Sequence, residues 1–270
     1  MYVWLTLISA MHKKFTLEDK NKSARVGLLS TQHGDVRTPA FMPVATYGVV
    51  KTLMPEEVRD CGAQVLLSNA YHLALRPGIE AIQRYGGLHG FIKWDGPILT
   101  DSGGFQGYSL AHLRRVSEEG LTFRSHIDGS THFLTPEQAV KNQELLGSDI
   151  AMVLDVCAST SDDEKTQREA MERTTRWAAR CYDSWARGDQ LLFGIVQGGA
   201  YVDMRKESAR SLVDLDFPGY AIGGLSVGES KELMYQITES TAVLLPEDKP
   251  RYLMGVGSPE DLVECVARGI

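Results

Sequence analysis

Short apolar runs that end in a polar residue or a glycine recur along this chain, each followed by a stretch with helical periodicity. The runs are "AFMPVAT", "QVLLSNA", "PILTDSGG", "SDIAMVLDV", "LLFGIVQGG", "YAIGGLSVG" and "RYLMGVGSP". Strands this apolar, alternating with helices, imply a parallel sheet covered by helices. Two architectures satisfy that pattern, an open doubly wound sheet and a (β/α)8 barrel. The first helical turn after "AFMPVAT" carries no G-x-G-x-x-G, which counts against a dinucleotide fold. Asn69, Asp101, Asp155, Gln197, Gly224 and Gly257 all stand at strand ends. A barrel gathers such ends into one ring, whereas an open sheet spreads them along an edge. The expected fold is therefore an α/β (β/α)8 TIM-type barrel. With about seven strand–helix units before Ile270 and no eighth strand, it is expected to be incomplete.

The punctuation between units supports the same reading. Pro55 with Glu56 and Glu57 suits a first helical turn. "ARVGLLSTQHGDVRTPAF" reads as an N-terminal hairpin turning at His33-Gly34-Asp35, and "GLTFRSHIDGSTHFLTPEQ" as an inserted hairpin turning at Asp128-Gly129. Thr135 and Gln138 then offer a capping box. A long helix is expected from about Asp162 to Arg187, with Trp177 and Trp185 packing against the core. No linker composition divides the chain, so residues 24–270 read as one domain, preceded by an extension, 1–23, poorly ordered in part.

A net charge of −7 gives no general attraction to nucleic acid or anionic membrane, so any RNA contact has to be local. Cys61, Cys157, Cys181 and Cys265 are widely spaced, which writes neither a disulfide framework nor a zinc site and suits a reducing cytoplasm. The apolar part of "MYVWLTLISAMHKKF" is too short to span a bilayer, and its lysines follow the run instead of preceding it. None of the histidines has H-x-x-x-H or H-E-x-x-H spacing, and His126 and His132 read as surface groups on the inserted hairpin.

The chemistry concentrates at strand ends. Asp101 and Asp155 each terminate an apolar run. One such aspartate is usually a helix cap; two at equivalent ends can divide acid and base roles or bind a donor-rich ligand edge. Gln197 offers both donor and acceptor, and the glycines at 103–104, 198–199 and 223–224 let a ligand or a backbone come close, although each pair could be a plain turn. Asn69 could steady a neighbouring carboxylate or merely end a strand. Cys157, two residues past Asp155, reads as a packing residue before a nucleophile. A planar ligand resembling guanine suits this inventory, with Phe105 or a neighbouring aromatic to stack on its face.

These motifs resemble one family, the tRNA-guanine transglycosylases or queuine tRNA-ribosyltransferases. The match runs from about Ala24 to Ile270 and includes "TPAFMPVAT", "LLSNAYHLALRPG", "ILTDSGGFQ", "GLTFRSHIDGSTHFLTPE", "LLGSDIAMVLD", "FGIVQGG", "YAIGGLSVGE" and "YLMGVGSPEDL". The resemblance implies a TIM-type barrel in the cytoplasm, a homodimer, that exchanges guanine at the tRNA wobble position for a 7-deazaguanine through a covalent ribosyl intermediate. It implies Asp101 as the catalytic proton carrier and a base pocket of Asp101, Ser102, Gly103, Gly104, Phe105, Asp155, Gln197 and Gly224. Asn69, Gln106, Cys157 and Val227 would support that pocket. An RNA-contacting loop would run Gly255, Val256, Gly257, Ser258, Pro259, Glu260, Asp261.

The chain also departs from the family. The family's nucleophile sits in an F-D-x-x-x-P-T-R-type motif, and its zinc site uses three cysteines and a histidine. Neither occurs in these 270 residues, so no metal ligand is assigned and the chain by itself is expected to be inactive. Gly107 stands where a larger apolar residue is common, and "DVCAST" replaces a "DEC" followed by a proline-containing loop. Val227 and Cys157 look like the bacterial version, which favours 7-aminomethyl-7-deazaguanine as the incoming base. The alternative function is a non-catalytic tRNA- or base-binding partner subunit; an eroded pocket would be its mark, and Asp101, Asp155 and Gln197 are present.

Overall fold

A computed structural model describes residues 14–104, 114–186 and 188–270. It opens with an antiparallel meander of β1 (Phe15–Asn21), β2 (Ala24–Thr31) and β3 (Gly34–Thr38). The sheet thus begins inside the segment 1–23 that the sequence sets apart. β4 (Leu66–Asn69) and β5 (Ile98–Asp101) follow, then a second meander, β6 (Arg114–Val116), β7 (Leu121–Arg124) and β8 (Thr131–Leu134). The chain returns to the centre with β9 (Ile150–Met152), β10 (Leu191–Val196), β11 (Gly219–Ile222) and β12 (Arg251–Leu253). The central sheet is six-stranded and parallel, in the order β12-β11-β10-β9-β5-β4. Both expected hairpins are present, each extended by one strand.

The helices are α1 (Pro55–Asp60), α2 (Ala70–Leu75), α3 (Ile79–Arg84), α4 (Gly87–Ile92), α5 (Pro136–Leu146), α6 (Glu164–Ser184), α7 (Val202–Asp214), α8 (Lys231–Ala242) and α9 (Pro259–Ala267). Their starts follow the sequence signals. Thr135 accepts from the N–H of Gln138, Asp163 from Thr166, Ser230 from Leu233 and Ser258 from Asp261. Only half of the capping box at Thr135 forms, because the Gln138 amide turns outward to Asn142. Trp177 of α6 is fully buried and donates its indole N–H to the Glu118 carbonyl.

The central sheet is curled. Val44 bridges Leu67 and so extends the edge beyond β4. That edge, with Met42, and the opposite edge, with Tyr252 and Leu253, line one apolar cavity of about 780 Å³ that Leu99, Ile150 and Phe193 also line. A flat sheet would hold its two edges apart; here they face one space, as in a barrel open along one side. This is the incomplete TIM-type barrel that the alternation implies.

The N-terminal end of the sheet is closed by Asp149, whose side chain is fully buried. Its carboxylate accepts from the Ile98 N–H at 2.9 Å and from the His33 N–H at 3.1 Å. His33 Nδ1 lies 2.8 Å and His89 Nε2 3.2 Å from it. One carboxylate therefore joins the β2–β3 turn, α4, and the starts of β5 and β9.

Candidate functional site

The register of the sheet brings the polar strand ends together. Asn69 and Asp101 are paired neighbours at the ends of β4 and β5. The Asn69 amide donates to Asp101 Oδ2. The N–H groups of Ala70 and Gly103 reach Oδ1 at 3.0 and 3.2 Å. Three donors thus fix the carboxylate in place. Gly103 has φ of +86°, a conformation that turns the chain sharply after Asp101 and that a side chain disfavours.

The second carboxylate stands beyond β9. Asp155 is 6% exposed and accepts a 2.7 Å hydrogen bond from Gln197 Nε2 at the end of β10. The Asp101 loop runs against it. A Cβ at Gly104 would lie 2.7 Å from both the carbonyl oxygen and Oδ1 of Asp155. A Cβ at Gly224 would collide with Gln197 Oε1, and one at Gly223 would lie 2.9 Å from Nε2. These glycines are therefore requirements of close packing around Asp155 and Gln197. The structure joins Asp101, Ser102, Gly103, Gly104, Asp155, Gln197 and Gly224 into one cluster at the C-terminal ends of β5, β9, β10 and β11. Phe105 and Gln106 lie outside the described residues, as does Gly107.

Cys157 is buried beside this cluster, and its thiol faces the Ala158 carbonyl at 3.8 Å. Val227 lies on the loop after β11. Its N–H donates to Glu229 and its carbonyl accepts from Thr160 Oγ1. Sequence reasoning misses three residues of this neighbourhood. Ser208 Oγ of α7 accepts from the Gln197 N–H at 3.1 Å. Arg205, also on α7, sits fully buried under the glycine loops. The Tyr252 phenol is held protonated by burial and by the charge of Asp101. Arg205 and Ser208 fall on an ordinary amphipathic helix, and no local pattern distinguishes them from surface residues.

Known proteins share this geometry's sequence. A family model described as queuine tRNA-ribosyltransferase matches residues 19–270. A queuine tRNA-ribosyltransferase from Pelotomaculum thermopropionicum is 63% identical over 255 residues, which is 94% of this chain and 69% of that protein. Another, from Desulforudis audaxviator, is 62% identical, covering 94% of this chain and 68% of the relative. One from Desulforamulus reducens is 56% identical over 95% and 70%. The chain belongs to the queuine tRNA-ribosyltransferase family. It is thus built as a transferase of the pentosyl class that acts on tRNA, and it spans about two thirds of these relatives' length.

The resemblance to this family implies zinc. Among the described residues, His33, His89 and Asp149 bring their donor atoms within 4.8 Å of one another. Their arrangement does not suit a metal. The two imidazoles stack at 3.5 Å with an interplanar angle of 18°. Both direct a nitrogen at the carboxylate, and near-parallel rings do not converge on a tetrahedral centre. They form a hydrogen-bonded clasp at the opposite end of the barrel from Asp101.

The loop Gly255–Asp261 of this queuine tRNA-ribosyltransferase homologue follows β12 and enters α9. Gly255 has φ of +77°, and a Cβ at Gly257 would meet the Phe41 ring at 2.8 Å. Ser258 caps α9, with Pro259 and Glu260 in its first turn. Asp261 is 8% exposed and bonded to Tyr235 at 2.5 Å and Lys231 at 3.0 Å, so it anchors the loop internally. Val256 lines the apolar cavity. On the other rim, Tyr71 meets His126 at 3.2 Å, which ties the inserted meander to the segment after Asn69.

Proposed function

We propose that this chain carries the base-recognition and proton-handling part of a tRNA-guanine transglycosylase. Guanine at the wobble position is exchanged for a 7-deazaguanine, with 7-aminomethyl-7-deazaguanine as the incoming base. The observation that carries the proposal is the pair of carboxylates at neighbouring strand ends, each already oriented by an amide side chain, Asp101 by Asn69 and Asp155 by Gln197. Asp155 accepts the ring N–H and exocyclic amine of the base, the donor-rich edge that a carboxylate matches. Asp101 takes the proton from the ring nitrogen of the incoming base and returns one to the departing guanine. Phe105 stacks on the base, and Gly224 lets the backbone approach its edge.

Exchange with retention also needs a group that holds C1′ between departure of one base and arrival of the next. No motif among these 270 residues assigns that role. tRNA is met locally, at the Gly255–Asp261 loop, in a cytoplasmic homodimer. The test is labelled-guanine incorporation into tRNA by a chimera in which this chain replaces the matched region of the Pelotomaculum thermopropionicum relative. Asp101→Asn keeps shape and an acceptor but removes the exchangeable proton. It is expected to lower incorporation at least about a hundredfold, the scale of acid–base catalysis. Incorporation near the parent rate would remove Asp101 from the proton path.

A further inference from the structure

Arg205 is fully buried, yet among the described residues its hydrogen bonds run to main-chain carbonyls alone. Nε donates to Gly199 O at 2.7 Å, and Nη2 to Gly223 O at 3.0 Å and Gly224 O at 3.4 Å. Nη1 has no acceptor among these residues. Removing a guanidinium from water is costly, and a methionine would fill the same space without that cost. What the guanidinium supplies is a rigid fork that bridges two loops. One loop follows Gln197 and contains Gly198 and Gly199; the other follows β11 and contains Gly223 and Gly224.

The second loop packs on the Gln197 side chain, and the first packs on Arg205 and Gln167. The Gly223 and Gly224 backbones approach the Gln197 amide too closely for any Cβ, and Gly198 approaches the Arg205 backbone, where a Cβ would lie 2.9 Å from its nitrogen. Ser208, one turn further along α7, accepts from the Gln197 N–H. Helix α7 therefore holds the Gln197 backbone directly through Ser208 and the loop against its amide through Arg205, and Gln197 in turn holds Asp155. We propose that Arg205 is a positioning residue for base recognition: its guanidinium sets the separation of the two glycine loops and thereby aims the Gln197 amide and the Asp155 carboxylate. This rests on the reading of the cluster as a base pocket. Burial lowers the Arg205 pKa to about 10, with the charge of Glu229 opposing, so the side chain is a cation at neutral pH.

The experiment compares guanine with hypoxanthine, which lacks the exocyclic amine, by calorimetric titration of the parent, Arg205→Lys and Asp155→Ala. Lysine keeps the charge but replaces the planar fork by a single nitrogen. Loss of aim blunts discrimination at the base edge, whereas a general loss of stability weakens both bases alike. The expected result is a folded Arg205→Lys chain by circular dichroism, with guanine affinity at least about tenfold weaker and a guanine preference reduced several-fold. If lysine prevents folding, the parent alone decides: the Arg205 Nε–H resonance should shift when guanine is added, and an unmoved resonance overturns the inference. An Arg205→Lys chain with parental affinity and preference overturns it, as does an equal loss for both bases. A parent that binds neither base overturns the pocket reading itself. Loss confined to Asp155→Ala overturns only the role of Arg205.

Discussion

At Gly104 a methyl group would collide with the backbone and the carboxylate of Asp155 together, at 2.7 Å from each. Backbone cannot step aside as the end of a flexible side chain can. Gly104→Ala is therefore expected to destabilise the chain by about 1–3 kcal/mol, the range for overpacking a buried position, and to weaken guanine binding along with it. Thermal denaturation beside a guanine titration checks both, and parental values in each would show that the Asp101 loop does not pack on Asp155. The same residues mark where the sequence stops speaking. Asp101, Asp155 and Gln197 are legible because they interrupt apolar runs at equivalent places. Arg205 is not, since a charged residue in "VDMRKESARSLVD" reads as solvated surface until the loops that cover it are seen.

Between elements, the Asp149 clasp links fold stability to pH. Burial alone would raise its pKa, but hydrogen bonds from His89, the Ile98 N–H and His33 outweigh that and hold it at about 2, against 3.8 for a free aspartate. A depressed carboxylate contributes stability that is complete above the unfolded value and lost as pH falls through the folded one. Stability should thus decline between about pH 4 and pH 2. This group accounts for about 2 kcal/mol of the loss, since each tenfold change in proton affinity corresponds to about 1.4 kcal/mol. Asp149→Asn should flatten that part of the acid denaturation curve, and an unchanged curve would show that the clasp carries no such linkage. Strand ends and helix caps were readable from period and punctuation, including the starts of α5 and α6. The clasp was not, because His33, His89 and Asp149 belong to three segments with no motif in common and meet only when the sheet closes. β1 escaped for another reason: "FTLEDKN" has only Phe15 and Leu17 as apolar residues, too short an alternation to mark a strand, and its pairing with β2 makes it one.

Across the whole molecule, the barrel was legible because parallel strands covered by helices leave few topologies. The apolar space between Val44 and Leu253 lies between the two edges of that curled sheet. A net charge of −7 means that any hold on tRNA is local, so binding of an anticodon stem–loop should weaken with salt in proportion to a few phosphate contacts. Filter binding across a salt series measures this, and a slope near that of a broadly basic protein would contradict it. If these residues supply recognition and proton transfer as proposed, and no motif among them supplies the nucleophile, the 270-residue chain mixed with tRNA is expected to leave no protein–RNA band on a denaturing gel. A guanine-reversible band would place the nucleophile among the residues present.

Base recognition by this fold rests on Asp155, held by Gln197, reading the edge of a guanine-type base. Calorimetric titration of guanine into the parent chain and into Asp155→Ala decides whether it does. Each charge-assisted hydrogen bond to a buried carboxylate contributes roughly 1.5–3 kcal/mol, and two such bonds correspond to at least about a hundredfold in affinity. Stoichiometric binding by the parent is expected, with a loss of that size or greater in Asp155→Ala. Equal guanine affinity in the two chains would show that Asp155 does not read the base.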